Sequence, residues 1–293
     1  MSGSLSGWVA MFPGVEEIPF DRWVAAGNDF IILDNRDGRW TDLAPVLAQK
    51  LCHRRLSVGA DGLILVESSR KAQVRARFFN PDGTEFNMCM NGTRCVARYA
   101  LRHVMAPRQM TIETAIGVIE AVVDYRTVHL RFYRVYEIRL HQRLAFRHRT
   151  VSAHWVRVGD PHLVIPVRDV GSLDLLRLAP AFRFHPDLGP EGANVNFVHV
   201  VEPGRIDIRT YERGVEAETL SCGSGCVSTA LVLAHLGYRW ETYRFHTRSG
   251  SDLLVRLEWD GATLRAIHLS GEARLVCQGV LIPDAWEYDP PRG

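Results

Sequence analysis

The chain has 293 residues, and its 35 basic and 33 acidic side chains leave a formal charge of only +2. With 46% hydrophobic and 23% charged residues it falls outside the disordered, fibrous and membrane-embedded classes, and it is long enough for two domains. The near balance of charge argues against nucleic acid or an anionic membrane as the main partner, and no apolar run approaches the roughly eighteen residues of a bilayer span.

Residues 1–20 lack a basic segment followed by a continuous apolar one, so no secretory leader is expected there. Apolar, β-rich runs follow: FIILD (30–34), GLILVE (62–67), ARFFN (76–80), GVIEAVVDY (117–125) and HLVIPV (162–167), each bounded by Gly, Pro, Asn or Asp as strands are. Between the third and fourth runs, Thr93 to His103 has a helical apolar pattern. From Arg126 to Arg149 there are seven arginines and one acid, Glu137, but the arginines alternate with apolar residues, which reads as a solvated strand face rather than a phosphate patch. Val227 to Leu236 is apolar nearly all round and stops at Gly237, the pattern of a buried helix.

The chain is written twice. Trp23 opens WVAAGNDF and Trp155 opens WVRVGDPH, 132 positions later; GADG at Gly59 and GANVNF at Gly192, CMNG at Cys89 and CGSG at Cys222, and TAIG at Thr114 and TRSG at Thr247 are each 133 apart. FNPDGTE at Phe79 and YERGVEAE at Tyr211 are again 132 apart. Ordered recurrence of this kind predicts two homologous halves meeting near residue 130. The expected fold is α+β: two pseudo-symmetric halves, each a mostly antiparallel sheet wrapped around a central helix, with the active site in the cleft between them. The expected divisions are residues 1–130, 131–269 and a C-terminal segment, 270–293, returning to the first half.

In both halves a cysteine stands just before the central helix. Free N–H groups and the positive end of a helix dipole lower a thiol pKa from about 8.5 and also attract a carboxylate. Duplication supplies this arrangement twice, so Cys89 and Cys222 are expected to face one cleft. An α-carbon held between two thiols can lose its proton to one and gain a proton from the other on the opposite face, which is racemisation or epimerisation. A cysteine without such placement is usually a buried structural thiol, the reading given to Cys52, Cys277, Cys95 and Cys226. A Cys₄ zinc site from Cys89, Cys95, Cys222 and Cys226 is the weaker alternative, because both spacings depart from zinc knuckles. No phosphate-loop or dinucleotide glycine motif is present, and no cofactor or metal is expected. His162 in GDPH and Glu212 in YERG follow strands within the duplicated segments and are candidate supporting groups. With no export signal and no CxxC pair, reduced thiols and the cytoplasm are the expectation; a homodimer is the commonest assembly.

Taken in order, GNDF, GADG, FFNPDG, CMNGTRC, GDPH, AN-x-NF, YERG and CGSG resemble the diaminopimelate epimerases, cofactor-independent two-thiol enzymes of lysine and cell-wall biosynthesis. The resemblance runs from about Val24 to the C-terminal region. It implies the two-half fold and an active site between the halves, with Cys89 and Cys222 as acid–base thiols assisted by His162 and Glu212. It implies further that Asn28 lies in the substrate site and that backbone N–H groups around Met90, Asn91 and Gly92 and of Gly223 and Ser224 hold the reacting carboxylate. Asn80, Asn194 and Arg213 would take the far end of the substrate. Proline racemases share the paired thiols but carry a different context around the second cysteine. Two departures matter. The usual CGNG reads CMNG, placing a Met90 side chain where glycine allows close approach. The usual GNPH reads GDPH, placing the Asp160 carboxylate near the distal group, where it would repel a distal carboxylate unless paired with Arg213. The expected reaction is conversion of LL-diaminopimelate to the meso form; racemisation of another amino acid such as histidine, suggested by Met90 and Asp160, is the alternative, and a non-catalytic binding module is a third reading that two intact thiols oppose.

Overall fold

The computed structural model describes residues 17–133 and 136–288. β1 (Ile18–Ala25) and β2 (Asn28–Asp34) form a hairpin whose turn residues, Ala26 and Gly27, take φ of 49° and 85°. Such a left-handed pair matches the twist of the strands it joins. A Cβ at Gly27 would stand 2.7 Å from the Leu220 side chain, so glycine here lets the chain just before Cys222 close onto the first half.

The first half continues by two parallel crossovers. β2 runs parallel to β3 (Gly62–Glu67) across helix α1 (Ala44–Leu51), and β3 pairs antiparallel with β4 (Val74–Phe79). β4 carries the short β5 (Glu85–Phe86) and runs parallel to β6 (Gln109–Thr114) across helix α2 (Met90–Arg102). β6, β7 (Gly117–Asp124) and β8 (Thr127–Phe132) then form an antiparallel meander. The period of two is plain in β7, where Ile119, Ala121 and Val123 are buried and Glu120, Val122 and Asp124 face outward.

The second half repeats this route after β9 (Glu137–Phe146). The hairpin is β10 (Arg149–Val158) and β11 (Asp160–Pro166); α3 (Leu175–Arg183) crosses to the parallel β12 (Asn194–Glu202), followed by β13 (Arg205–Glu212) and the short β14 (Ala217–Thr219). Helix α4 (Gly223–His235) crosses to β15 (Tyr243–His246), parallel to β13, and β16 (Asp252–Asp260) and β17 (Thr263–Glu272) close the meander. β8 pairs antiparallel with β17 and joins the two sheets, while β18 (Arg274–Leu281) pairs with β1 as β9 pairs with β10.

Each sheet wraps its crossover helix, and the two helices share one core that includes Val96, Ala97 and Leu130 with Val227, Leu231 and Leu269. Every residue of α4 from Gly225 to Ala234 is buried, which explains its all-round apolar sequence. Smaller cores form on the opposite faces, where α1 covers Leu63, Leu65 and Phe79 and α3 covers Leu163, Ile165 and Phe197. The α+β architecture expected from the repeat is therefore present, with four parallel pairings among the described strands and the others antiparallel.

Three local expectations need correction. The central helices start at Met90 and Gly223, earlier than the apolar periodicity indicates, because their first turns are held by a cysteine cap rather than by hydrophobic contacts. Helices α1 and α3 have no counterpart in the periodicity; they are short, and Pro180 lies inside α3. Cys277, expected as a buried thiol, is exposed on β18, whereas Cys52, Cys95 and Cys226 are buried. No helix among the described residues is long and apolar enough to cross a membrane.

Candidate active site

Cys89 and Cys222 are the N-caps of α2 and α4. Each has extended backbone geometry, and each Sγ accepts the N–H of the third helical residue, Gly92 or Gly225, at 3.4 Å. Cysteine thus takes the role that Ser or Asp usually plays at this position. Glycine at 92 and 225 is required by packing: a Cβ at 92 would lie 2.8 Å from the Phe78 ring, and one at 225 would lie 2.2 Å from Asn196 Oδ1.

The two helix ends abut. A Cβ on Gly223 would stand 2.8 Å from Met90 Cβ, and these two residues hold equivalent first positions of their helices. Asn91 Nδ2 donates to Ser221 Oγ at 3.1 Å, a bond from α2 to the residue preceding Cys222. Both dipoles therefore point their positive ends into one region, where the N–H groups of the first turns lack intrahelical partners. Met90 is 6% exposed and packs in the central core, so its side chain fills the contact between the helices.

On the first-half side, the Cys89 thiol donates to Asn28 Oδ1 at 3.6 Å, and Asn28 Nδ2 donates to Asp61 Oδ2 at 2.7 Å. Asp61 also accepts from Arg54 at 2.6 Å, and Arg54 bonds Asp29 at 2.7 Å. Burial alone would raise the Asp29 carboxyl, but its bonds to Arg54 and Arg22 hold it below the ordinary carboxylate range. Asp61 belongs to the GADG segment, where sequence alone assigns it no role; it fixes the amide of Asn28 so that the oxygen faces Cys89. Asn80 donates through Nδ2 to Thr84 Oγ1 at 3.0 Å, within the turn that follows β4.

The second half supplies different chemistry at equivalent positions. His162 is fully buried, and Asn196 Nδ2 donates to its Nδ1 at 3.2 Å. Asn196 also donates to the Leu163 carbonyl and accepts from Thr210, which fixes its orientation, makes Nδ1 an acceptor and leaves the ring proton on Nε2. That Nε2 is buried with no hydrogen-bond partner among the described residues. Burial lowers the imidazole from 6.5 to about 4, keeping it neutral near pH 7. Asn196 is the second asparagine of AN-x-NF, and its spacing of two residues from Asn194 on one strand face was the available signal.

Glu212 accepts from Thr219 Oγ1 at 2.6 Å, yet burial raises its carboxyl above the ordinary value, with Thr219 and the neighbouring Cys222 thiol opposing the rise. Arg213 pairs with Asp160, and Glu191 lies 3.8 Å from the same guanidinium. The Asp160 carboxylate is thus matched by a cation. Asn194 accepts from the Arg213 backbone N–H at 2.8 Å and donates to the Pro161 carbonyl at 3.2 Å, so its side chain orders the loops carrying Arg213 and His162.

Both thiols are raised, which reverses the expectation from helix-end stabilisation alone. Burial pushes Cys89 up to about 11, against the pull of the Gly92 N–H, and the Glu212 charge adds to the rise. Burial and the Glu212 charge raise Cys222 well above the ordinary thiol value, despite bonds from Ser224 and Gly225. Desolvation outweighs the dipole because neither sulfur is fully solvated. Among the described residues no group of three or more His, Cys, Asp or Glu side chains is arranged to hold a metal ion.

A duplicated α+β fold that brings two cysteine-capped helix ends against each other, with the Glu212 carboxyl close enough for its charge to act on both thiols, is a frame for isomerases that transfer protons. The sequence matches the family described as Diaminopimelate epimerase over residues 23–132 and 154–276. It is 36% identical over 273 residues to the diaminopimelate epimerase of Hydrogenobaculum sp. (strain Y04AAS1), covering 89% of this chain and 97% of that one. It is 34% identical over 274 residues to the diaminopimelate epimerase of Aquifex aeolicus, covering 90% and 97%. Among solved structures the fold is similar to a hydroxyproline epimerase from Agrobacterium vitis, with a TM-score of 0.70 at 16% identity, covering 92% of this chain and 93% of that chain. The chain belongs to the diaminopimelate epimerase family.

Proposed function

We propose that the protein converts LL-diaminopimelate to meso-diaminopimelate by two-base proton transfer between Cys89 and Cys222. The observation that carries this reading is the pair of cysteine caps on abutting helix ends, in a chain whose relatives are named for that reaction. One Sγ, as thiolate, takes the α-proton as the Cα–H bond breaks; the other Sγ–H delivers its proton to the opposite face of the carbon. N–H groups at Met90, Asn91, Gly223 and Ser224 would hold the reacting carboxylate and stabilise charge that builds on it. Asn28 would order Cys89, and Glu212 would keep a proton on Cys222. Neutral His162 would donate through Nε2.

Arg213, with Asn80 and Asn194, would face the distal end as the family pattern implies, the Asp160 carboxylate being paired with the Arg213 guanidinium. Asp160 also supports a second reading, racemisation of an amino acid whose far end is cationic, such as histidine. The division into halves near residue 130, with the last strand returning to β1, belongs to the same proposal, as does work in the cytoplasm, where the six unpaired cysteines would stay reduced.

The test is α-proton exchange in D₂O, followed by proton NMR, with reduced protein and a panel of LL-diaminopimelate, histidine, arginine, lysine, glutamate and proline. Exchange at diaminopimelate is expected, and silence there with exchange elsewhere replaces the substrate. Cys89→Ala and Cys222→Ala are each expected to abolish turnover while keeping the fold; near-full activity in either variant refutes the two-base mechanism.

A further inference from the structure

The two thiols sit in unequal electrostatic settings, and the inequality lies partly in a residue that the mechanism above does not use. Arg94 on α2 is fully buried, at 0% exposure. Helical side chains lean toward the N-terminus, and Arg94 accordingly reaches back along α2. Its Nη2 donates to Asn91 Oδ1 at 2.7 Å, its Nη1 to the Met90 carbonyl at 3.5 Å, and its Nε to the Glu272 carbonyl at 3.3 Å. All three acceptors are neutral oxygens. Burial lowers its guanidinium from the ordinary value, opposed by the neighbouring sulfurs of Cys95 and Cys89 on its own helix and Cys226 on α4, and by Glu272 on β17. The Glu272 carboxylate is engaged elsewhere, accepting from Ser251 at 3.0 Å and lying 3.8 Å from Arg274. A buried guanidinium with no paired carboxylate among the described residues is costly to keep, so its position calls for a reason.

The internal repeat sharpens the point. The residue 133 positions on from Arg94 is Val227, fully buried in the core. Residues 132 positions before His162 and Glu212 are Phe30 and Asn80. The cation therefore lies under the helix that Cys89 caps, and the Glu212 carboxylate lies close enough to Cys222 for its charge to oppose that thiol's ionisation. At Cys222 the Glu212 charge is second only to burial, whereas at Cys89 the Gly92 N–H outweighs it. Asn91 ties the two ends together, since one amide accepts from Arg94 and donates to Ser221.

We propose that Arg94 is a positioning residue that makes Cys89 the more readily ionised of the two thiols and leaves the proton on Cys222. It does so by placing a buried positive charge under the α2 end and by fixing Asn91 across to Ser221. The substrate-free enzyme is then poised for the stereoisomer whose α-proton faces Cys89. The inference rests on reading the two cysteines as the acid–base pair, but its test needs no substrate, so it stands or falls apart from the epimerase assay.

The experiment is iodoacetamide labelling of the whole, substrate-free protein at pH 8, with rates at Cys89, Cys222 and the exposed Cys277 read by peptide mass spectrometry. Arg94→Gln keeps a hydrogen-bonding amide and loses the charge; Arg94→Lys keeps the charge. Opposite charge near a thiol shifts its ionisation by about one unit or more, so Arg94→Gln is expected to slow Cys89 about tenfold relative to wild type. Cys222 should change by less than about threefold on the same scale, and Cys277 should not change. Arg94→Lys should restore the Cys89 rate. Equal slowing of both site thiols, or equal behaviour of the Gln and Lys variants, overturns the proposal. Because Arg94→Gln can fail to fold, Cys222→Ser and Cys89→Ser are compared in the Arg94 background by ultraviolet thiolate absorbance. Thiolate is expected at lower pH when Cys89 remains; the reverse order overturns the assignment.

Discussion

Replacing Gly223 by alanine probes the contact on which the two helix ends meet. The new Cβ would stand 2.8 Å from Met90 Cβ, 3.3 Å from Met90 Cγ and 3.2 Å from Leu269 Cδ2. Ordinary carbon contacts optimise at about 3.5–4.0 Å, so the first turns of α2 and α4 must separate by several tenths of an ångström. Overpacking of this kind costs about 1–3 kcal/mol, offset by the better helix propensity of alanine, which is worth at most about 1 kcal/mol. A net loss of about 1–2 kcal/mol is expected as a lower denaturant midpoint with an unchanged slope. Turnover should suffer more, because both thiols ride on the shifted turns and misplacement by about 1 Å can cost on the order of a hundredfold. The decisive variant is the mirror exchange, Met90→Gly with Gly223→Ala, which returns one glycine and one side chain to the contact. Met90→Gly alone loses a buried side chain and is destabilising by itself. In its background the Gly223→Ala penalty should nearly vanish, giving a coupling of about 1 kcal/mol or more. A double variant whose losses simply add, within about 0.5 kcal/mol, refutes the direct Met90–Gly223 contact.

Two further outcomes follow from the second half. His162 has a folded pKa of about 4 against 6.5 when unperturbed, so the unfolded chain binds a proton first as pH falls. Stability from this group is therefore present above pH 6.5 and lost on going down toward 4, with roughly 2 kcal/mol gone by pH 5. His162→Gln should flatten the denaturant midpoint between pH 7 and 5; an unchanged slope in that variant removes His162 as the source. Asp160→Asn should free Arg213 for a distal carboxylate. The pair is largely exposed, so its worth is on the order of 0.2–1 kcal/mol, and KM for diaminopimelate should fall by up to about fivefold with kcat nearly constant. Unchanged KM shows that the pair does not set distal recognition.

Much of this was legible because the chain repeats itself. The order of WVAAGNDF and WVRVGDPH, CMNG and CGSG is covalent information, and the periodicities around them identify strands and two central helices without any knowledge of packing. Cysteines just before both helices, and the motifs that carry the family resemblance, follow from that linear record. Other features depend on which groups surround a residue, and no local pattern reports that. The first turns of α2 and α4 carry glycines that weaken a helix on propensity alone, and only the proximity of Phe78, Asn196 and Met90 explains them. Burial decides that both thiols sit above their ordinary value, against the helix dipoles. It also makes His162 neutral and hides the charge of Arg94. Met90 reads in sequence as an intrusion beside the substrate and proves in space to be the packing partner of Gly223. The linear record alone carries the duplication, the principal strands, the two central helices and the chemical groups available, but not the short helices α1 and α3. Tertiary structure decided their protonation and which side chain occupies the shared contact, because desolvation and steric exclusion act between residues far apart in the chain.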